Sequence, residues 1–176
     1  LGCGTGDFLK GFDSELWDCN GIEISEHACK VARSRGIRIV DFSTDESQYD
    51  VIVLRGVLQH LETPLYTLLQ CVDHLKPGGI IAFLATPNTR SVCYRLFGDL
   101  PMLDPSRNFM LPSDKELTQI ITNFGLRLEE IVYPYLDSPY SDPFSDHIKF
   151  VGRLFGLQSK FAFWGNMMEL FARKPL

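Results

Sequence analysis

The chain has 176 residues, of which 45% are apolar and 22% charged, enough for one domain with a hydrophobic core and too few for two domains of ordinary size. Its formal charge of -5 argues against capture of nucleic acid, which requires clustered Lys and Arg. The sequence contains neither a run of about 18 apolar residues nor a charged-then-apolar leader, so we expect no membrane span and no signal peptide.

Three glycines at alternate positions, Gly2, Gly4 and Gly6, open the chain ahead of a helix-like apolar pattern. Glycine tolerates positive φ and carries no side chain, so such a loop can turn sharply and present its N–H groups to a ligand. The GxGxG spacing differs from the GxGxxG of dinucleotide-binding folds. We interpret the loop as a nucleotide cradle. When the glycine loop is considered alone, a purely structural turn is the alternative interpretation.

The apolar pattern of 8–12 predicts a short helix after the cradle, and Asp7 could either cap this helix or contact the ligand. A second strand is predicted around Cys19–Ser25, where Glu23 could accept both hydroxyls of a ribose. A helix with a serine cap and a glycine end follows over Ser25–Gly36.

The β-branched run Ile37–Val40 predicts a third strand, followed directly by Asp41 and Phe42. Tyr49–Leu54 is continuously apolar after its first residues, which is typical of a parallel strand buried on both faces. We therefore expect it to be the fourth strand of a parallel sheet.

The segment Arg55–Leu61 follows the fourth strand and contains His60, which could take a proton near neutral pH or serve as a packing or orienting residue. Apolar residues at helical spacing predict a helix over Thr63–Leu75, with proline at its first position. A turn at Lys76–Gly79 then leads into a fifth strand, Ile80–Ala85.

Strands that alternate with helices predict an α/β fold with right-handed crossovers and a parallel sheet. Ligands of such sheets bind at the carboxyl ends of the strands. The candidate residues that fall at this edge are the Gly2–Gly6 loop, Glu23, Asp41, His60 and Asn88.

In the C-terminal part, Ser113 and Glu116 form the pattern of a capping box at the start of a helix. A sixth strand is predicted within Leu126–Tyr135, and Asn166–Lys174 is predicted to be an antiparallel closing strand. Between them, Ile148–Phe155 predicts an amphipathic helix with a basic flank. This helix could be a substrate lid, a contact with a membrane surface or a plain connection.

The cysteines are odd in number and widely spaced, with no CxxC pair and no histidine at metal-ligand spacing. This pattern predicts reduced, mostly buried thiols in a cytoplasmic protein, and no metal site. The five cysteines are Cys3, Cys19, Cys29, Cys71 and Cys93.

The glycine loop, the acid after the second strand and the Lys76–Gly79 turn together resemble the class I S-adenosylmethionine-dependent methyltransferases, from Leu1 to about Val132. The resemblance implies a Rossmann-like, doubly wound and mostly parallel sheet with helices on both faces and an antiparallel last strand. It implies S-adenosylmethionine (S-adenosyl-L-methionine) as the cofactor and His60 as the candidate catalytic residue. The residues that it assigns to the cofactor are Gly2, Cys3, Gly4, Gly6, Glu23, Ile24, Asp41, Phe42 and Arg55.

Within this resemblance, Asp41 would accept the exocyclic amine of adenine, and the N–H of Phe42 would meet the ring. The alternative is a solvated turn aspartate beside a core phenylalanine, with Asp45 and Glu46 as competing acids. Many bacterial relatives have an Arg-His pair where this chain has Arg107–Asn108. Asparagine cannot act as a base, so residue 108 cannot perform a proton transfer that the histidine would perform in those relatives.

We expect a single methyltransferase domain over 1–176 that lacks the N-terminal part of its first strand and anything before it, with variable substrate-side segments at 91–125 and 136–160. The predicted reaction is methyl transfer to an oxygen, nitrogen or carbon of a small molecule or sugar-like metabolite, which would be the protein's partner. The reaction is an in-line displacement in which the protein mainly positions the reactants. A cofactor-binding module without activity and an NAD-dependent oxidoreductase are the alternatives.

Overall fold

The computed structural model describes residues 1–101, 103, 105–138 and 140–176. The helices are α1 (Glu26–Ser34), α2 (Pro64–His74), α3 (Val92–Phe97), α4 (Asp114–Asn123) and α5 (Pro143–Leu154). The strands are β1 (Asn20–Gly21), β2 (Arg38–Ile39), β3 (Tyr49–Arg55), β4 (Leu75–Pro87), β5 (Arg127–Val132) and β6 (Met167–Arg173). Short 3₁₀ helices lie at Leu9–Gly11, Leu58–His60 and Pro105–Arg107.

The strands form two sheets, one of β1 and β2 and one in the order β3-β4-β6-β5. β1 runs parallel to β2 and β3 runs parallel to β4, whereas β6 is antiparallel to both of its neighbours. The predicted α/β class, with parallel pairs joined by helices and an antiparallel last strand, is therefore confirmed.

Residues Leu1–Cys3 lie between the two sheets and are bonded to both. The N–H of Cys3 donates to the carbonyl oxygen of Ile22 at 3.0 Å, and the N-terminal amine donates to the carbonyl oxygen of Val53 at 2.7 Å. Among the described strands, β3 pairs only with β4, so its other edge faces the space between the sheets. The further central strand expected ahead of Leu1 stays a prediction.

The main core lies where α2 and α4 pack on the four-stranded sheet. Leu68 and Cys71 come from α2, and Leu117 and Ile121 come from α4. These pairs are three and four residues apart, so each pair lies on one face of its helix. No helix within the described residues has the length and apolar character needed to cross a membrane.

Two predicted helix starts are confirmed by their hydrogen bonds. The hydroxyl of Ser25 accepts the N–H of Ala28 at 3.3 Å. The hydroxyl of Ser113 accepts the N–H of Glu116 at 3.1 Å, and the Glu116 carboxylate accepts the N–H of Ser113 at 2.9 Å. Each serine satisfies a backbone donor that the first turn of a helix leaves unpaired.

The Lys76–Gly79 segment differs from the predicted turn because it is a bulge inside one continuous strand. Pairing jumps from Leu75 to Ile80 along β4 while β3 advances by only two residues. The N–H of Gly78 donates to the carbonyl oxygen of Lys174, and the N–H of Lys174 donates to that of Gly79, both at 2.9 Å. The ladder at the C-terminal end of β6 therefore continues alongside the bulge.

The elements around the cradle are shorter than the sequence pattern predicts. The helix after the glycine loop is a single 3₁₀ turn, Leu9–Gly11, and β1 and β2 have two residues each. A turn of this length has little macrodipole, so it adds little positive potential at the glycine loop.

Candidate cofactor and catalytic site

The glycine loop holds its three glycines in the left-handed region, with φ of +66° at Gly2, +55° at Gly4 and +82° at Gly6. A Cβ at Gly2 would lie 2.4 Å from Cγ2 of Val57, and a Cβ at Gly6 would lie 2.9 Å from Cγ1 of Ile37. Packing therefore requires glycine at both positions. A Cβ at Gly4 would meet no atom within 4 Å, so Gly4 is the glycine that leaves room for close approach of a ligand.

Arg35 braces the glycine loop, although the sequence pattern did not single it out. Its Nη1 donates to the carbonyl oxygen of Thr5 at 2.8 Å and to Oδ1 of Asp7 at 2.7 Å. The Thr5 hydroxyl donates to Oδ2 of Asp7 at 2.5 Å, and this bond, together with Arg35, lowers the pKa of the Asp7 carboxyl. Asp7 thus stabilises the loop and does not cap the 3₁₀ helix, whose N-cap is Phe8.

The Glu23 carboxylate joins the glycine loop to the end of β1. Its Oε2 accepts the N–H of Gly4 at 2.9 Å, and its Oε1 accepts the N–H groups of Ile24 at 2.9 Å and Ser25 at 2.8 Å. Each carboxylate oxygen has two acceptor positions, so Oε1 is filled and Oε2 keeps one position open. The Ile24 side chain, which the resemblance assigns to the cofactor site, is 97% exposed.

Cys3 acts in the loop through its backbone and by packing. A Cβ at Gly21 would lie only 2.5 Å from Sγ of Cys3, so the thiol packs closely against β1. Burial raises the pKa of the Cys3 thiol. The protonated thiol is a weaker nucleophile than the thiolate. All the cysteines are free, and the described residues contain no cluster of potential metal ligands.

Asp41 and Asp45, the competing acids after β2, have different surroundings. Asp45 accepts hydroxyl hydrogen bonds from Tyr49 and, at 2.7 Å, from Ser47. Asp41 is fully exposed, and its Oδ1 accepts the N–H of Ser43 at 2.8 Å, which lowers the pKa of its carboxyl. Asp45 also forms an ion pair with Arg38, so the exposed Asp41 is the more available of the two acids.

A cavity of about 770 Å³ runs along the open edge of β3, between the two sheets, and reaches the glycine loop. It extends along β3 to Tyr49 and Asp50, so only the end at the glycine loop meets the predicted cofactor edge. Its lining includes five of the residues that the resemblance assigns to the cofactor, which are Gly2, Cys3, Gly4, Phe42 and Arg55. Gly6, Glu23, Ile24, Asp41 and His60 lie outside this lining.

Aromatic contacts hold Phe42 and Arg55 at the wall of this cavity. The Phe42 ring stacks on the His74 ring with 4.4 Å between centroids. The Arg55 guanidinium lies 5.7 Å from the centroid of the Phe8 ring, within the range of a cation–π interaction. The positive charge of Arg55 is therefore held beside the glycine loop.

His60 ends the 3₁₀ helix that follows β3, and its side chain is exposed. Its Nδ1 lies 2.6 Å from the carbonyl oxygen of Arg107. A carbonyl oxygen can only accept a hydrogen bond, so Nδ1 carries the proton and the neutral ring has its lone pair on Nε2. Nε2 makes no hydrogen bond to the described residues.

Residues 107–110 form a strap over this 3₁₀ helix that the sequence pattern did not predict. The carbonyl oxygen of Gln59 accepts the N–H of Phe109 at 2.8 Å and that of Met110 at 3.4 Å. Together with the His60 contact to Arg107, these bonds join the His60 segment to a part of the chain 47 residues away. No local sequence signal could have revealed them.

Asn88 lies just past the end of β4, as predicted, but its side chain is engaged in the fold. Its Oδ1 accepts the N–H of Arg90 at 3.0 Å and of Asp114 at 3.2 Å. Its own N–H donates to the carbonyl oxygen of Asn166 at 2.9 Å. Asn88 therefore joins β4 to the start of α4.

The order of strands and the glycine loop define a domain of the Rossmann-like nucleotide-binding kind, and comparison with known proteins names its family. Residues 1–131 match the family model of a methyltransferase domain. The chain therefore belongs to this methyltransferase domain family, and the resemblance noted from the sequence is confirmed.

Individual relatives are similar to the chain at low identity. A ubiquinone biosynthesis O-methyltransferase of Azoarcus sp. is 28% identical over 149 residues, covering 73% of this chain and 63% of the relative. The chain thus covers less than two thirds of the length of these curated relatives. It covers 63% of the Azoarcus protein and 46% of a ubiquinone biosynthesis O-methyltransferase from Bordetella avium.

Solved structures share the fold. A SAM-dependent methyltransferase from Archaeoglobus fulgidus superposes with a TM-score of 0.66 at 21% identity, covering 98% of this chain and 83% of that one.

Proposed function

We propose that this domain binds S-adenosylmethionine at the glycine loop and directs transfer of its methyl group to a nucleophile on a small molecule. The observation that carries the proposal is the open space at Gly4, next to the one unfilled acceptor position on Oε2 of Glu23. A close-approach glycine beside an acceptor for a ribose hydroxyl is the arrangement that a nucleoside cofactor requires. The matched methyltransferase domain supports the same cofactor.

The bound cofactor supplies a methyl group on a sulfonium, so the leaving thioether needs no acid. The chain's residues orient the reactants and handle the proton of the nucleophile. Nε2 of His60 accepts that proton, because the Arg107 carbonyl holds the other proton on Nδ1. Arg55 and Phe42, at the cavity wall, contact the cofactor.

The acceptor atom is an oxygen of a hydroxyl group, because a hydroxyl must lose its proton to attack and His60 provides a base. The relatives named O-methyltransferase support this choice. The segments 91–125 and 136–160 form the acceptor side. In support, the Phe97 ring meets the Phe150 ring edge to face at 5.5 Å, and Arg153 pairs with Asp99 across the two segments.

Calorimetric titration of the intact protein with S-adenosylmethionine, and separately with NAD, tests the proposed cofactor. We expect binding of the sulfonium cofactor at micromolar strength, roughly -8 kcal/mol, and none of NAD. Binding of NAD alone would favour an oxidoreductase and refute the proposal. Turnover is then measured with a panel of hydroxylated, aminated and carbon acceptors.

A cofactor-binding module without activity is the second candidate. His60 and Asn108 do not decide between such a module and an enzyme, because a histidine can act as a base whereas an asparagine cannot. Tight cofactor binding with no turnover across the whole panel would identify such a module. Methylation of a hydroxylated acceptor that depends on His60 would exclude it.

A further inference from the structure

Two charged residues at opposite ends of α1 hold neighbouring residues of the glycine loop. Oε2 of Glu23, which precedes the helix, accepts the N–H of Gly4 at 2.9 Å. Nη1 of Arg35, the C-cap residue of the helix, donates to the carbonyl oxygen of Thr5 at 2.8 Å. The carboxylate thus binds a donor of the loop, and the guanidinium binds an acceptor. We call Glu23 and Arg35 the loop clamp.

The loop clamp acts on the part of the loop that packing does not fix. Gly2 and Gly6 lie so close to Val57 and Ile37 that neither position has room for a side chain. A Cβ at Gly4, by contrast, would meet no atom within 4 Å. Glycine has the greatest backbone freedom of any residue, so an unheld Gly4 would lose much conformational entropy when a ligand ordered the loop. The bonds of the loop clamp restrict this freedom before a ligand binds.

The bonds around Thr5 fix the orientation of one peptide unit. Its carbonyl oxygen, that of Thr5, accepts from Arg35, and its N–H, that of Gly6, donates to the carbonyl oxygen of Cys3 at 3.0 Å. Because a peptide unit is planar, bonds to both of its polar groups fix its plane. The preceding peptide unit, which carries the N–H of Thr5, is therefore attached to a fixed plane.

The N–H of Thr5 is a donor that this arrangement leaves free. It donates no hydrogen bond to any residue in 1–101, 103, 105–138 or 140–176. Thr5 also lines the cavity of about 770 Å³ beside Gly4. A backbone N–H at a cavity wall, on a segment that is already held in place, is preorganised to donate to an acceptor oxygen of a ligand.

Asp7 keeps the Arg35 side chain at the loop. Oδ1 of Asp7 lies 2.7 Å from Nη1 of Arg35, and Oδ2 accepts the Thr5 hydroxyl at 2.5 Å. The side chains of Arg35 and Asp7 are 31% and 72% exposed, so solvent and salt screen the pair, and it contributes little to the stability of the fold. Removal of the Arg35 guanidinium should therefore change the geometry of the loop more than the stability of the domain.

We propose that Arg35 is a positioning residue for the cofactor, because it holds the Thr5 carbonyl and thereby presents the Thr5 N–H as a hydrogen-bond donor to S-adenosylmethionine. Arg35 acts through Thr5. This inference rests on the proposed function, since it requires S-adenosylmethionine to bind at the glycine loop. It adds a donor to the site, the Thr5 N–H, and the side chain that orients it.

Calorimetric titration with S-adenosylmethionine compares the intact wild-type protein with variants of two arginines. Arg35→Met removes both bonds of the guanidinium and should weaken binding roughly tenfold, because the cofactor must then order the loop itself. Arg35→Lys keeps a cation that can donate to the Thr5 carbonyl and should recover part of that loss. Arg33→Met removes an exposed arginine of α1 that makes no side-chain contact with the described residues, and it should bind like the wild type. Denaturant unfolding should give similar stabilities for all of them.

Amide NMR of the wild-type protein tests the donor directly and does not depend on the folding of a variant. When S-adenosylhomocysteine, the demethylated cofactor, is bound to isotope-labelled protein, the Thr5 amide proton should exchange more slowly with solvent. In Arg35→Met saturated with the same ligand, this protection should be smaller.

The outcomes separate this inference from the proposed function. A folded wild-type protein that binds no S-adenosylmethionine would refute both. If the wild type binds the cofactor and Arg35→Met binds it with equal affinity, the proposed function stands and Arg35 has no positioning role. Unchanged exchange of the Thr5 amide in the wild type with bound ligand overturns the assigned donor. A loss of affinity that comes with a large loss of stability and that Arg35→Lys does not recover would assign Arg35 to the fold alone.

Discussion

Nδ1 of His60 donates a hydrogen bond to the carbonyl oxygen of Arg107 across 2.6 Å, which leaves the lone pair of the neutral ring on Nε2. The acceptor is a backbone atom of the strap 107–110, so its geometry does not depend on the identity of any side chain there. This one bond determines which nitrogen can act as a base.

We expect His60→Asn to lower kcat by about 100- to 10,000-fold, the usual contribution of a general base. The asparagine amide can still donate to the Arg107 carbonyl, so the strap stays in place. Cofactor affinity, measured by calorimetry, should not change.

His27→Asn is the matched control, since His27 is an exposed histidine on α1. It should leave kcat unaltered. An unchanged kcat in His60→Asn would assign His60 an orienting or packing role.

Gly4→Ala and Gly36→Ala form a second matched pair. Both glycines have left-handed φ, +55° and +83°, and a Cβ at either position meets no atom within 4 Å. Each substitution should therefore destabilise the fold by a similar amount, about 1–2 kcal/mol of backbone strain. Only Gly4→Ala should also weaken binding of S-adenosylmethionine, because its methyl group occupies the space beside the cradle.

Denaturant unfolding and calorimetric titration together separate these two effects. If Gly36→Ala weakens cofactor binding as much as Gly4→Ala, the loss comes from stability and the space at Gly4 has no special role.

Glu23→Ala should weaken cofactor binding roughly tenfold to a hundredfold, since hydrogen bonds to a charged group contribute about 1.5–3 kcal/mol each. The expected cause is the loss of Oε2, which holds Gly4 and keeps one acceptor position open. Glu26→Ala, in the exposed first turn of α1, is the control and should bind normally. Equal affinities in the two variants would remove Glu23 from the site.

Tyr135→Phe should destabilise the fold by about 1–3 kcal/mol, because it removes a hydroxyl donor from the buried Asp146 carboxylate. Tyr140→Phe is the control, since the Tyr140 side chain is 65% exposed. Thermal or denaturant unfolding at neutral pH compares the two. A Tyr135→Phe variant as stable as the control would show that the bond is worth little.

Tyr135 also gives a prediction for stability at alkaline pH. Burial, followed by the hydrogen bond to Asp146, raises the pKa of Tyr135 to about 12 in the folded chain. The folded state thus favours the neutral phenol. Its contribution to stability should be complete below pH about 10, the pKa of an unfolded tyrosine, and should decline as pH rises towards 12. The stability difference between wild type and Tyr135→Phe should narrow over this interval.

Local patterns in the sequence by themselves determined the elements whose causes are local. The Ser25 cap and the Ser113–Glu116 capping box were predictable because donor and acceptor are only a few residues apart. The apolar run of β3 and the alternation of strands and helices sufficed for the α/β class. The need for positive φ at Gly2, Gly4 and Gly6 could also be inferred, since glycine alone adopts it without strain.

Only the tertiary structure decided which of these residues meet. That Gly2 is required by Val57 whereas Gly4 faces open space depends on a contact between distant segments. The bonds of Arg35 to the glycine loop and of Arg107 to His60 likewise join residues far apart in the chain. Periodicity and capping signals report on neighbours within one element. The candidate site is formed by atoms that folding brings together from separate elements. A local sequence pattern does not predict contacts of this kind.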